Sequence, residues 1–138
     1  MATNIRDALR DHLLATPTLT AITTVIRPGV LAQGDAPPAI LVKVVSNTPQ
    51  EWLNSSQRMY RARVAVNCYG ANVTASDDMA KVVRDVALPP LLKGMVQGIN
   101  VREISLESGP FDAEDIPKDA SDEWMRHARL DFLVIYYL

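Results

Sequence analysis

The residues of this sequence that could carry catalysis or hold a metal are few: His12, His127, Cys68 and several neighbouring carboxylates. A zinc centre needs about four ligands at local spacing, and two histidines and one cysteine far apart in sequence do not supply it. Cys68 lies on an apolar strand pattern, where a thiol is a small buried hydrophobe and not a nucleophile. His12 flanks the apolar stripe of a helix and His127 sits beside Arg126 and Arg129, with no base-and-nucleophile spacing around either. Asp77-Asp78 suits the positive N-terminal end of a helix. Asp112, Glu114 and Asp115 are followed by Ile116-Pro117 and lack the glycine and terminal glutamate of a calcium loop. Gly94 and Gly98 do not make a phosphate-cradling motif. No catalytic, metal or cofactor site is expected, and no motif points to an enzyme.

Charge placement says more than charge total. The chain of 138 residues carries a net −2, which disfavours a dedicated nucleic-acid binder. Residues 108–123 hold six acidic groups against Lys118, so this stretch carries −5 and the rest of the chain +3. Arg58, Arg61 and Arg63 form the basic cluster on one strand, without the interleaved aromatic ladder of a single-strand nucleic-acid surface. A solvated sheet face or a protein–protein surface fits them better.

The elements that must position these groups follow from periodicity. Ile5, Ala8, Leu9 and Leu13 make one face of a first helix, capped by Thr3 or Asn4 and ended at Thr16-Pro17. Residues 18–25 read as a short second helix or turn with Leu19, Ile22 and Val25 inward. Residues 26–29 read as a short strand or turn, and 33–38 as a proline-bearing loop. Residues 39–46 are nearly continuously apolar, the pattern of an interior strand covered on both faces. A polar connection, 47–57, carries Trp52 and Leu53. In residues 58–69, Tyr60, Ala62, Val64, Val66 and Cys68 share one face, with Arg61, Arg63 and Asn67 on the other. Ser76-Asp77-Asp78 begins a helix burying Met79, Val82, Val83 and Val86, stopped by Pro89-Pro90. Residues 91–98 are ambiguous. Residues 99–107 form a strand, 108–123 an acidic loop, and 124–138 a long strand with Trp124, Ala128, Leu130, Phe132, Val134 and Tyr136 on one face.

Composition bounds the whole. Apolar residues at 48% and charged residues at 22% fit a folded, soluble chain with one domain over 1–138. No apolar run is long enough to span a membrane. The N-terminus lacks a secretory layout, and the single cysteine suits a reducing compartment such as the cytosol. The order of elements predicts an α+β fold: a mainly antiparallel sheet of four to five strands, mixed pairing left open, with two to three helices on one face.

Several pieces in order resemble the tail terminator (tail completion) proteins of long-tailed bacteriophages and phage-derived particles. They are Ile5-Arg-Asp-Ala-Leu-Arg-Asp-His-Leu-Leu14, then Pro17-Thr-Leu-Thr-Ala-Ile22, then Ile26-Arg-Pro-Gly29 with a loop from Gln33-Gly34 to Pro38-Ala-Ile40. The strand Arg61-Ala-Arg-Val-Ala-Val-Asn-Cys-Tyr-Gly70 follows, with Met79-Ala-Lys-Val-Val-Arg-Asp85 and a closing Arg129-Leu-Asp-Phe-Leu-Val-Ile-Tyr-Tyr137. Residues 88–98 depart from the pattern. The resemblance implies a virion structural protein, assembled in the host cytoplasm, that caps the tail tube as a homo-oligomeric, hexameric ring at the head-proximal end. Tube protein on one side and a head-side neck protein on the other are its implied partners, with DNA passing through the lumen without specific binding; a head-completion or neck adaptor role is the alternative. The interface candidates are then Trp52, Leu53, Phe111, Arg58, Arg61, Arg63, Asp112, Glu114 and Asp115. The acidic loop faces a neighbour, the lumen or solvent.

Overall fold

The computed structural model of the chain describes residues 4–29, 38–50, 59–70, 73–88, 94–113 and 127–137, leaving aside the side chains of residues 50, 73, 110–113 and 127. The first helix, α1 (Ile5–Leu14), starts at Asn4, whose side-chain oxygen accepts from the Asp7 amide at 2.9 Å. That bond satisfies one of the donors a helix start leaves over. Ile5, Ala8, Leu9 and Leu13 are its buried stripe. The Thr16 hydroxyl donates to the His12 carbonyl at 2.9 Å, and Pro17 opens a single turn, α2 (Pro17–Thr20). Only Leu19 of that segment points fully inward; Ile22, expected inside, is 41% exposed, because the turn ends before it.

The described residues also hold six strands: β1 (Ile26–Pro28), β2 (Ala39–Gln50), β3 (Met59–Tyr69), β4 (Gly94–Val96), β5 (Ile99–Ala113) and β6 (His127–Tyr137). They lie in the order β1-β2-β3-β6-β5-β4, in a sheet curled as a half-barrel. One pair, β1 with β2, is parallel and the rest are antiparallel. The sheet is therefore mixed and has one or two more strands than expected. β1 is the short strand read at 26–29, and the addition is β4, which the ambiguous stretch before Ile99 hides. Gln97 and Gly98, both at positive φ (49° and 90°), make the two-residue turn joining β4 to β5. Positive φ at both positions is what such a hairpin demands.

β6 is central, paired to β3 and β5 on its two sides. Of the expected face, Ala128, Leu130, Phe132, Val134 and Tyr136 are buried, and Trp124 lies outside the described residues. Register carries that face across the sheet: Val64, Phe132 and Leu106 stand in one row, and Ala62, Val134 and Ile104 in another. β2 is not covered throughout, since β1 pairs it only over residues 40–42, and Lys43 and Val45 are exposed. The connection expected from Asn47 begins later, because residues 47–50 continue β2. Residues 108–113, expected as the start of the acidic loop, likewise continue β5, and the rest of that stretch lies outside the described residues. Register shifts at Val44/Ser46, Val101/Glu103, Leu106/Ser108 and Ser108/Phe111 bend and twist these long strands.

The second long helix, α3 (Val73–Val82), begins earlier than expected, so Asp77 and Asp78 lie within it and do not cap its start. It continues as a π-helical turn, Val83–Ala87. The wider turn shifts the phase of the buried stripe: Met79, Ala80, Val83 and Ala87 are buried, whereas Val86 is 49% exposed. Gly70 brings the helix against the end of β3, where its amide donates to the buried Ser76 hydroxyl at 2.9 Å. A Cβ at Gly70 would stand 2.6 Å from the Ser76 nitrogen, so only glycine permits this approach. The buried stripes of α1, α2 and α3 and the inward sheet residues form one core.

Candidate interaction surface

Cys68 and His12 lie at packing positions in the fold, and the side chain of His127 lies outside the described residues. Cys68 faces the core, and burial pushes its thiol from an ordinary 9.0 up to about 12. Desolvation of the thiolate is the cause. The folded value lies above the unfolded one, so this stabilisation is complete below about pH 9 and is lost as pH rises towards about 12. From this group alone, stability should fall by up to ~1.4 kcal/mol per pH unit in that window. Urea unfolding at neutral and alkaline pH checks it: the wild-type loss should exceed that of Cys68→Ala, and equal losses would exclude a titrating Cys68.

His12 bonds across the core: its Nε2 lies 2.7 Å from the carbonyl oxygen of Ala87 and donates to it. The bond ties α1 to the end of the π-helical turn and satisfies one of the carbonyls that a helix end leaves over. Among the described residues, no three of His, Cys, Asp and Glu stand together as a metal site. No helix among them is long and apolar enough to cross a membrane.

The sheet face opposite the helices is built differently. Alternation places Arg61 and Arg63 of β3 on it, both exposed. Arg63 pairs with Glu107 of β5 at 3.3 Å, reaching across β6. Arg129 donates to Asp131 at 2.8 Å along β6, and Ser108 donates to the second Asp131 oxygen at 3.2 Å. The Arg102 guanidinium lies 3.5 Å from the Met59 sulfur. The expected basic face is thus mixed in sign, because β5 and β6 bring carboxylates to it. Leu133, Ile135 and Tyr137, half-buried, lie between these charges, and Val45 is 54% exposed at one margin. A depression of about 350 Å³ opens near that margin between Lys43, Val45, Ala65, Asn67, Tyr69 and Arg129. Charges of both signs around half-covered apolar side chains make a surface suited to another protein.

At the far end of the sheet, Tyr60 and Tyr136 stack with ring centroids 5.4 Å apart, and the Tyr136 hydroxyl donates to Asn47 at 3.0 Å. Burial holds the Tyr136 phenol above its ordinary value, against that hydrogen bond.

Of the interface residues expected from sequence, Arg61 and Arg63 share the outer face. The backbones of Phe111 and Asp112 lie in β5, opposite Arg129 and Ala128 of β6. Trp52, Leu53, Arg58, Glu114 and Asp115 lie outside the described residues. The outward residues of β6 and the carboxylates of β5 were missed, although the same alternation that marks the buried face of β6 also marks Arg129, Asp131, Leu133, Ile135 and Tyr137 as the opposite one.

No family model and no curated protein sequence matches the chain. Among solved structures, the fold matches a chain of the "Virion of native gene transfer agent (GTA) particle" with a TM-score of 0.63 and 14% sequence identity. The match covers 97% of this chain and 95% of that one. At that identity the likeness speaks to architecture, and it spans nearly the full length of both: the fold of this chain is one that a gene transfer agent virion also contains.

Proposed function

We propose that this chain is a virion structural protein that caps the tail tube as a ring, ends tube polymerisation and forms the junction to the head or neck. The observation that carries the reading is the near end-to-end fold match to a chain of a gene transfer agent virion. The ordered sequence pieces that resemble tail terminators support it independently. A ring of identical copies needs two different complementary patches per subunit. Arg61 and Arg63 on the outer face and the −5 net charge of residues 108–123 are opposite in sign, a difference that fixes register and excludes wrong pairings. In this reading the copies number six, the tube protein and a head-side neck protein are the neighbours, and DNA passes the lumen unbound. The chain works by contact and not by turnover.

Tube growth tests it. Added to polymerising tube subunits, the protein should arrest growth and leave short tubes of uniform length. Unchanged tube lengths would overturn the terminator role, and unchanged lengths with lost head joining in its absence would mark a neck adaptor instead.

The acidic stretch gives a second expected result. Neutralising Asp112, Glu114 and Asp115 to Asn, Gln and Asn should leave stability within about 0.5 kcal/mol. Ring formation, tube capping or DNA passage should nevertheless change. Normal assembly and normal infectivity together would show that these carboxylates only meet solvent.

A further inference from the structure

The two margins of the sheet are each half covered, and on opposite halves. β1 pairs β2 over residues 40–42, with the Gly29 amide donating to the Val42 carbonyl at 2.8 Å. Beyond that point, residues 43–50 of β2 pair with β3 on one side and have no outer strand among the described residues. On the other margin β4 pairs β5 over residues 99–101, and residues 103–113 have no outer strand among the described residues. Register sets the levels. Gln50, Met59, Tyr137 and Asn100 share one row, and Ala39, Tyr69, His127 and Ala113 share another. The open part of β2 therefore lies at one end of the sheet and the open part of β5 at the other.

From this layout we infer that copies of the chain join head to tail through these edges, the open stretch of β2 in one copy pairing antiparallel with the open stretch of β5 in the next. The inference rests on the ring reading above and says how the ring is held.

Strand sense, parity and length all favour a second copy as the occupant. β2 and β5 run in opposite directions within one sheet, because β3 and β6 intervene and each of these pairs is antiparallel. Two copies side by side with the same face outward thus bring β2 and β5 together antiparallel. A stagger is required, since the neighbour's β5 must clear β1. Four rows are enough to put its Ala113 opposite Lys43, just past the Val42 level at which β1 ends. The same shift carries the neighbour's β4 beyond the end of β2 at Gln50. Four is also even, which keeps the outer face outer in both copies; an odd slip would reverse every side chain.

The stagger has the size a closed ring needs. Four rows are roughly 13 Å along the strands, and the four fully paired strands per copy span roughly 19 Å across them. Strands tilted by roughly 35° then return to their own level around the ring, close to the tilt of closed barrels. Charge agrees with this register. Within the chain, Arg63 reaches Glu107 across one intervening strand. Across the junction, the neighbour's Glu107 falls level with Thr48 and Pro49, separated from Arg61 by the same one-strand interval. Pro49 and the bulges on both edges limit indiscriminate pairing of these margins with other strands.

Disulfide trapping tests the register, because Thr48 of one copy stands opposite Ser108 of the next. Both are exposed, and buried Cys68 serves as the unreactive internal control. Mildly oxidised, with and without tube subunits, the double variant Thr48→Cys/Ser108→Cys should give a covalent ladder ending in one closed species. A mixture of the two single variants should stop at dimers, and each single variant alone should stay monomeric. Dimers from Thr48→Cys alone would show two-fold β2–β2 pairing and overturn the inference, as would no adduct of the double variant in either condition. Tube arrest separates this result from the functional reading. Adduct without arrest supports the edge junction and removes the terminator role; arrest without adduct keeps the role and removes the junction.

Discussion

Replacing Phe132 by alanine should lower the free energy of unfolding by about 3–5 kcal/mol, the range for deleting a buried aromatic ring. The ring is 1% exposed and sits on β6, the strand with a partner on each side, in one row with Val64 and Leu106. Neighbouring strands hold the backbone on both sides, so the site cannot collapse to fill the space, and the cavity adds to the lost burial. Domains are typically stable by about 5–15 kcal/mol, so the loss is a large share of the total. Urea unfolding of both proteins measures it. A loss within about 0.5 kcal/mol, as for surface substitutions, would show that Phe132 is not in a filled core.

Gly109→Ala should be nearly as costly, for two separable reasons. Gly109 has φ +103°, a conformation that costs other residues about 1–3 kcal/mol. It also lies against β6 at a bulge, where a Cβ would run into the Arg129 carbonyl oxygen and approach the Leu130 Cα at 3.1 Å. Those atoms are backbone of the central strand and cannot turn aside as a side chain can. Gly94 is the matched control: its φ is +97°, yet a Cβ there meets nothing within 4 Å. Gly94→Ala should therefore show only the conformational cost. Gly109→Ala should exceed it by about 1–3 kcal/mol, the usual penalty of overpacking. Equal losses in chemical denaturation would mean that β5 does not approach β6 this closely.

The parts of the fold legible in sequence are those where one period acts alone. The 3.6-residue spacing of Ile5, Ala8, Leu9 and Leu13 placed α1, and the two-residue spacing from Ala128 to Tyr136 placed the buried face of β6. Legibility ended where the period changes within an element or tertiary pairing extends it. The π-helical turn rotates Val86 outward and Ala87 inward, which a uniform helical spacing cannot show. Residues 47–50 and 108–113 look like loop because they carry proline and polar groups, yet partner strands β3 and β6 hold them extended. β4 escaped because three residues carry no period, and its turn depends on positive φ at Gln97, a residue type that does not advertise it. For the outer face, Arg61 and Arg63 were readable from alternation within β3. The charge partner of Arg63 was not, because Glu107 meets it only through strand order, across an intervening strand far away in sequence.

Strand order also links fold to role. Among the described residues, a mixed sheet with helices on one face leaves its other face and both staggered margins for neighbours. In the proposed assembly the helices stabilise the subunit, while the sheet does the joining. In that proposal, function depends on copies meeting in one register on the end of a tube. Imaging tube ends by cryo-electron microscopy in the presence of the protein tests this most directly. The expected view is one ring closing one end of each arrested tube, with the six-stranded subunit repeated around it and sheet margins in contact. Bare tube ends, or subunits scattered along the tube wall, would contradict it.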